Sequence, residues 1–144
     1  DYNFINEEEF MNRIKNNSYI EHANVFGNFY GSQYKNIINH FENGRDILFD
    51  IDWQGAKQLK NSSFENIVSI FIIPPSKDAI YQRLKSRAIT SGDNEKSIEN
   101  RMNKYETEMS HKNDYDHVVI NDKLEICVDE LEKIINNKRK NLVD

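Results

Sequence analysis

The sequence predicts an α/β fold built on a parallel sheet, and three features carry that expectation. The run from Ile67 to Ile73 is almost continuously apolar, the pattern of a parallel strand covered on both faces. Strand-like runs alternate with helix-like segments through the latter two-thirds of the chain. The stretch Ile47-Leu48-Phe49-Asp50-Ile51-Asp52-Trp53-Gln54-Gly55 reads as a buried strand opening at its carboxyl end into a helix. In open α/β sheets that end is where ligands collect.

The elements follow in order. Tyr2 to Ile5 is a short strand candidate. Asn6 followed by Glu9 resembles a capping arrangement, with Ile5 and Phe10 placed as a hydrophobic staple, and a helix over about 7–15 shows Phe10, Met11 and Ile14 on one face. Asn16-Asn17-Ser18 is turn chemistry. Residues 19–26 alternate well enough for a strand with Glu21, Ala23 and Val25 on one side, and Gly27-Asn28 turns it into a return strand over 29–32. The spacing of Ile37, Ile38 and Phe41 predicts a helix ending at Gly44 as its C′ residue. Asp46 to Ile51 is the next strand, with a helix after it. Pro74-Pro75 stops the 67–73 strand, and Ser76 caps a helix to about Arg87. A polar loop over 88–94 leads to a strongly charged helix over 95–112. His117 to Ile120 is the last core strand. A closing helix over 123–137 puts Leu124, Cys127, Val128, Leu131, Ile134 and Ile135 on one face with a period of 3.6.

Composition narrows the function classes. The chain has 144 residues, enough for one domain with a real core, and a formal net charge of −5. That charge argues against nucleic-acid binding, which rests on Lys and Arg contacts to phosphates. A single cysteine excludes an internal disulfide and fits a reducing compartment. No run approaches the ~18 apolar residues of a membrane span, and no signal-peptide pattern is present, so the cytoplasm is the expected location. No metal-ligand spacing, Ser-His-Asp arrangement or glycine-rich phosphate loop occurs in the sequence.

Several side chains are candidates for chemistry, each with a structural alternative. If Asp50 and Asp52 are both in strand geometry they project to one side, a costly pairing without a cation, a hydrogen-bonding ligand or water. Otherwise Asp52 caps the following helix and Asp50 is solvated. Glu21 sits among apolar residues, and a buried carboxylate needs donors. Guanine, with its ring N1–H and exocyclic amine, is one ligand that fits, and Ser32 could add a hydroxyl. The alternative puts Glu21 on the solvent face and Ser32 at a helix start. Tyr2 and Tyr30 could hold a phosphate or simply pack. Arg83 and Arg87 share a helical face. With Arg101 they form a set that could neutralise phosphoryl charge or be a solvated surface.

Taken together the motifs resemble guanylate kinase. They are Asp1-Tyr2-Asn3-Phe4, Tyr19-Ile20-Glu21-His22-Ala23, Gly27-Asn28-Phe29-Tyr30-Gly31-Ser32, Asp50-Ile51-Asp52-Trp53-Gln54-Gly55, Ile70-Phe71-Ile72-Ile73-Pro74-Pro75-Ser76, Arg83-Leu84-Lys85-Ser86-Arg87 and Asn121-Asp122. They stand in the family's order and at near-family spacing across essentially the whole chain.

The resemblance implies a P-loop nucleoside-monophosphate-kinase-like parallel sheet core with a small β-rich GMP-binding subdomain and a helical lid. The expected divisions are 1–36 for the GMP-binding part, 37–78 for core, 79–113 for the lid and 114–144 for the closing core strand and helix. It implies the reaction ATP + GMP → ADP + GDP, with lid closure excluding water. Tyr2 and Tyr30 would bind the GMP phosphate, Glu21 and Ser32 would read guanine, and Asp52 would face GMP. Asp50 would orient Mg²⁺ through water. Arg83, Arg87 and Arg101 would contact the ATP phosphates and the transferring group, and Asn121 would lie near the adenine. GMP and ATP are the expected partners, with no nucleic acid and no membrane; the sequence leaves the oligomeric state open.

Two departures stand against that pattern. The family's opening strand, its P-loop ending in Gly-Lys, and two phosphate-binding arginines precede the position of Tyr2 and have no counterpart here. The chain is therefore expected to be the remainder of a longer enzyme and inactive by itself. The segment from Arg87 to Arg101 is longer than usual, with Ala88 in place of a common Gly. The alternative from another class is a guanylate-kinase-like protein-binding module of a scaffold protein. Such modules tend to lose the lid arginines, and Arg83 and Arg87 are present.

Overall fold

The computed structural model describes residues 2–91 and 94–141, and divides the chain into two compact units, 1–67 and 68–144. In the first unit, helix α1 (Glu7–Lys15) starts where expected because the Asn6 side chain accepts from the Glu9 amide at 2.8 Å. Three glutamates fill its first turn and Arg13 and Lys15 its last, complementing the helix dipole. Strands β1 (Tyr19–Val25) and β2 (Asn28–Gln33) form an antiparallel hairpin in which Glu21 faces Ser32, His22 faces Gly31 and Ala23 faces Tyr30. Its turn residues are Phe26 and Gly27, both at positive φ (51° and 86°), the backbone of a two-residue hairpin loop. The Asn24 side chain accepts from the Gly27 amide. Helix α2 (Tyr34–Glu42) ends at Gly44, which takes φ 66° as the C′ residue. Helix α3 (Trp53–Lys60) follows, capped by Asp52.

The core of this unit is Ile20, Ile37 and Leu59, with Tyr34, Ile47, Phe49, Ile51, Phe64 and Ile67 packed against it. Two expected strands are absent. Residues 2–5 have no ladder, and neither does the 46–51 segment. A strand exists only through a partner, and no described segment pairs with either. The 46–51 segment nevertheless keeps a strand's period of two: Ile47, Phe49 and Ile51 turn to the core while Leu48 is 89% exposed and Asp50 is exposed.

In the second unit, strands β3 (Ile70–Ile73) and β4 (His117–Ile120) are parallel, pairing Ile70 with His117 through Ile73 with Ile120. Their start is clamped by Asp116, whose carboxylate accepts from the Ser69 amide and hydroxyl at 2.8 and 2.7 Å, while the Asp116 amide donates to Ser69 Oγ. Between the strands run helices α4 (Lys77–Ser91) and α5 (Glu95–Ser110), joined by the Lys77–Glu106 ion pair at 3.0 Å. The Ser76 hydroxyl caps α4 as expected. The helix runs on past Arg87, so the first part of the expected 88–94 loop is helical; residues 92 and 93 lie outside the described residues. A single 3₁₀ turn, Lys112–Asp114, precedes β4, and helix α6 (Leu124–Lys140) closes the chain.

Val119 is fully buried, with Leu84, Ile98 and Cys127 also in the core. The expectation that the 67–73 strand is covered on both faces is corrected. The strand begins at Ile70, and Ile72 is 49% exposed, because this two-stranded sheet has helix packing for only part of its surface. Likewise only Cys127 of the expected α6 face is buried, and Leu124 is exposed.

Candidate functional site

The site in the first unit is built on a short register. Facing positions of an antiparallel pair put their side chains on the same side of the sheet, and the pairing of Glu21 with Ser32 brings the serine Oγ to donate to Glu21 Oε1 at 2.5 Å. Glu21 is 3% exposed, the most buried charged residue described. Ser32 therefore serves the carboxylate, and α2 begins after Gln33 with no side-chain cap. Burial pushes the Glu21 carboxyl above its ordinary pKa. The side-chain and main-chain hydrogen bonds from Ser32 act against that, and the nearby Asp52 charge adds to it.

Helix α3 supplies the wall behind this carboxylate. A Cβ placed on Gly55 would lie 2.7 Å from Glu21 Oε2, so only glycine lets the helix backbone come this close. Gln58 Nε2 donates to the His22 carbonyl at 2.7 Å while its Oε1 accepts from the His22 amide at 3.1 Å. Gln54 Nε2 donates to the Asn24 carbonyl at 3.3 Å and to Asp52 Oδ2 at 2.7 Å. These two glutamines, four apart and on one helical face, bind the open edge of β1. Sequence reasoning did not single them out. The spacing Gln54-x-x-x-Gln58 around Gly55 is the signal that was available.

The other expected residues fall as follows. The Tyr2 and Tyr30 rings meet edge-on at 5.8 Å between centroids, both exposed. The two carboxylates of the 50–52 pair are separated in role. Asp52 Oδ1 accepts from the amides of Gln54 and Gly55 at 3.0 and 3.1 Å, which makes it the α3 cap, the structural alternative raised above. Asp50 is exposed.

In the second unit Arg83 donates to the carbonyls of Asn121 and Asp122 at 2.8 and 3.2 Å. The structure thus brings Arg83 and Asn121 together at the carboxyl end of β4, where the Asn121 amide continues the ladder to Ile73. Arg87 is exposed on α4 and Arg101 half-buried on α5. Among the described residues no cluster of three or more His, Cys, Asp or Glu side chains could hold a metal ion, and no helix is long and apolar enough to cross a membrane.

Comparison with known proteins identifies a family. The family model described as guanylate kinase matches residues 1–138. A guanylate kinase from Rickettsia bellii is 42% identical over 96% of this chain and 71% of its own length. One from Jannaschia sp. is 45% identical over 96% of this chain and 62% of its own. The crystal structure of guanylate kinase from Anaplasma phagocytophilum superposes with a TM-score of 0.77 at 36% identity, covering 96% of this chain and 65% of that one. The fold is that of a nucleoside-monophosphate kinase. Within that class the chain belongs to the guanylate kinase family, and it spans roughly two thirds of the length of these relatives.

Proposed function

We propose that the protein transfers the γ-phosphoryl group of ATP to the phosphate of GMP, giving ADP and GDP. The observation that carries the reading is the buried Glu21 with Ser32 bonded to it. A carboxylate withdrawn from water needs paired donors, and guanine offers them at N1–H and the exocyclic amine. The Ser32 hydroxyl, whose single proton goes to Glu21 in the free protein, would turn to the ring oxygen when guanine's own donors occupy the carboxylate. Tyr2 and Tyr30, in edge contact on the hairpin side of the same unit, would hold the GMP phosphate through their hydroxyls. Asp52 would border GMP while capping α3.

The residues present fit a magnesium site of one kind. Mg²⁺ is commonly held by one or two carboxylates plus substrate phosphates and keeps several waters. Asp52 is occupied by the helix cap on Oδ1 and by the Gln54 side chain on Oδ2, which leaves Asp50, exposed on its extended segment, to hold Mg²⁺ through water. The ion would supply charge neutralisation at the phosphates. Arg83, Arg87 and Arg101 would contact the ATP phosphates, with Asn121 near the adenine. The divisions 1–36, 37–78, 79–113 and 114–144 would act as GMP-binding part, core, lid and closing core. A cytoplasmic location suits these substrates.

Calorimetric titration tests the reading. GMP should bind far more tightly than AMP, and Glu21→Gln should abolish the preference, because one buried acceptor becomes a mismatched donor. The loss should be about a hundredfold or more in GMP affinity. Equal binding of GMP and AMP, or an unchanged preference in Glu21→Gln, would overturn it. In the full-length protein the same substitution should lower kcat/KM for GMP.

A further inference from the structure

We propose that helix α3 tunes guanine selectivity through two positioning residues, Gln58 and Gly55, which fix where the Glu21 carboxylate stands. This deepens the guanine-reading role above and rests on it. Glu21 lies on β1, and among the described residues β1 has a partner strand on one side only. In an antiparallel pair, residues alternate between bonding across the ladder and turning their amide and carbonyl outward. His22, next to Glu21, turns both groups outward, and the Gln58 amide satisfies them with two hydrogen bonds. A side chain thus does on this edge what a third strand would otherwise do. Gln58 is itself held in place, since its Nε2 also reaches the Gln54 carbonyl at 3.2 Å. One turn earlier on the helix, Gly55 abuts Glu21 Oε2, within 2.7 Å of where a Cβ would stand.

The carboxylate is therefore gripped from two directions. Ser32 holds Oε1 from the hairpin, and the α3 backbone at Gly55 limits Oε2. The Gln58 bonds set the distance between β1 and that backbone. Both carboxylate oxygens must be correctly placed to accept from guanine's two donors together, whereas hypoxanthine offers the ring N1–H alone. A shift of β1 against α3 should therefore cost the guanine-specific second bond first, because hydrogen bonds weaken steeply away from their preferred geometry. The GMP-to-IMP affinity ratio reads that bond. A purely structural role for Gln58 would lower both affinities together and leave the ratio unchanged.

The test titrates GMP and IMP into the intact chain carrying Gln58→Met, which keeps the length of the side chain and removes both bonds. The expected result is a fall of about tenfold in GMP affinity with a smaller fall for IMP, so that the ratio contracts. Gly55→Ala, which pushes on Oε2 directly, provides an independent second variant if Gln58→Met fails to fold, and should contract the ratio in the same way. Glu21→Gln is measured alongside. If it loses GMP selectivity while Gln58→Met and Gly55→Ala both keep the wild-type ratio, the positioning role is overturned and guanine reading stands. If Glu21→Gln keeps wild-type GMP selectivity, guanine reading itself fails, and this proposal with it.

Discussion

At the scale of single residues, Glu21 is where binding and stability are opposed. Its carboxyl is raised above its ordinary pKa chiefly by burial, so the folded chain holds that proton more firmly than the unfolded chain does. The contribution is full below the unfolded pKa and is lost as pH rises through the folded one. Once ionised, Glu21 therefore stabilises the fold less than its protonated form does, a difference that two donors from a bound base would offset. Two observations follow. The stability of Glu21→Gln relative to the parent should increase as pH is raised upward from the ordinary carboxylate range, about 4, measured by urea unfolding at each pH. A pH-independent difference would show that the carboxyl titrates alike in both states. GMP should also raise the Tm of the parent and leave that of Glu21→Gln unmoved.

At the scale of elements, Asp52 shows how one side chain can be used twice. It closes the amino end of α3 by accepting from two amides and from Gln54 Nε2, and α3 in turn stands behind Glu21. Removing an acidic cap costs about 0.5–2 kcal/mol. Asp52→Ala should lower the unfolding free energy by that amount, and Asp52→Asn, which still accepts from the amides, by clearly less. Chemical denaturation of the two variants compares them directly. If Asp52→Asn lost as much as Asp52→Ala, the cap would owe its effect to charge at the helix end.

The helices were legible in the sequence because each carries its own signals. Asn6 and Ser76 cap as read, and Gly44 ends α2 as read. The hairpin was legible from its turn and alternation. Strands 2–5 and 46–51 were misread for one reason: apolar residues in a short run show which side chains can face a core, while a strand also requires a neighbour. Guanine-reading candidates could be named from residue types, and the Glu21–Ser32 bond then follows from register. The Gln58 hold on His22 was not legible. It joins a side chain to main-chain groups 36 residues away, and no periodicity encodes such a pair. Arg83 is a similar case, its partners being the carbonyls of Asn121 and Asp122.

At the scale of the whole molecule, the distribution of hydrogen-bonded backbone predicts where the chain opens first. The 46–51 segment buries Ile47, Phe49 and Ile51 on the unit core but has no ladder among the described residues. Apolar contact holds it where no ladder does, and Leu48 and Asp50 leave its other side to solvent. Protection from hydrogen exchange requires a hydrogen bond that must break before the amide is exposed. Amides of 46–51 should therefore exchange early, ahead of those in β1 and β2. In the second unit Val119, fully buried and in register with Ile72, should be among the slowest. Since the segment carries Asp50, its exchange also tests the proposed role of that residue: if Asp50 holds Mg²⁺ through water, Mg²⁺ with a nucleotide should slow 46–51 selectively. Peptide-resolved exchange with and without Mg²⁺, GMP and ATP reads both effects. Slow exchange of 46–51 in the free chain would mean that a backbone partner covers it in solution. Uniform slowing throughout the chain would assign the effect to global stabilisation and not to Asp50.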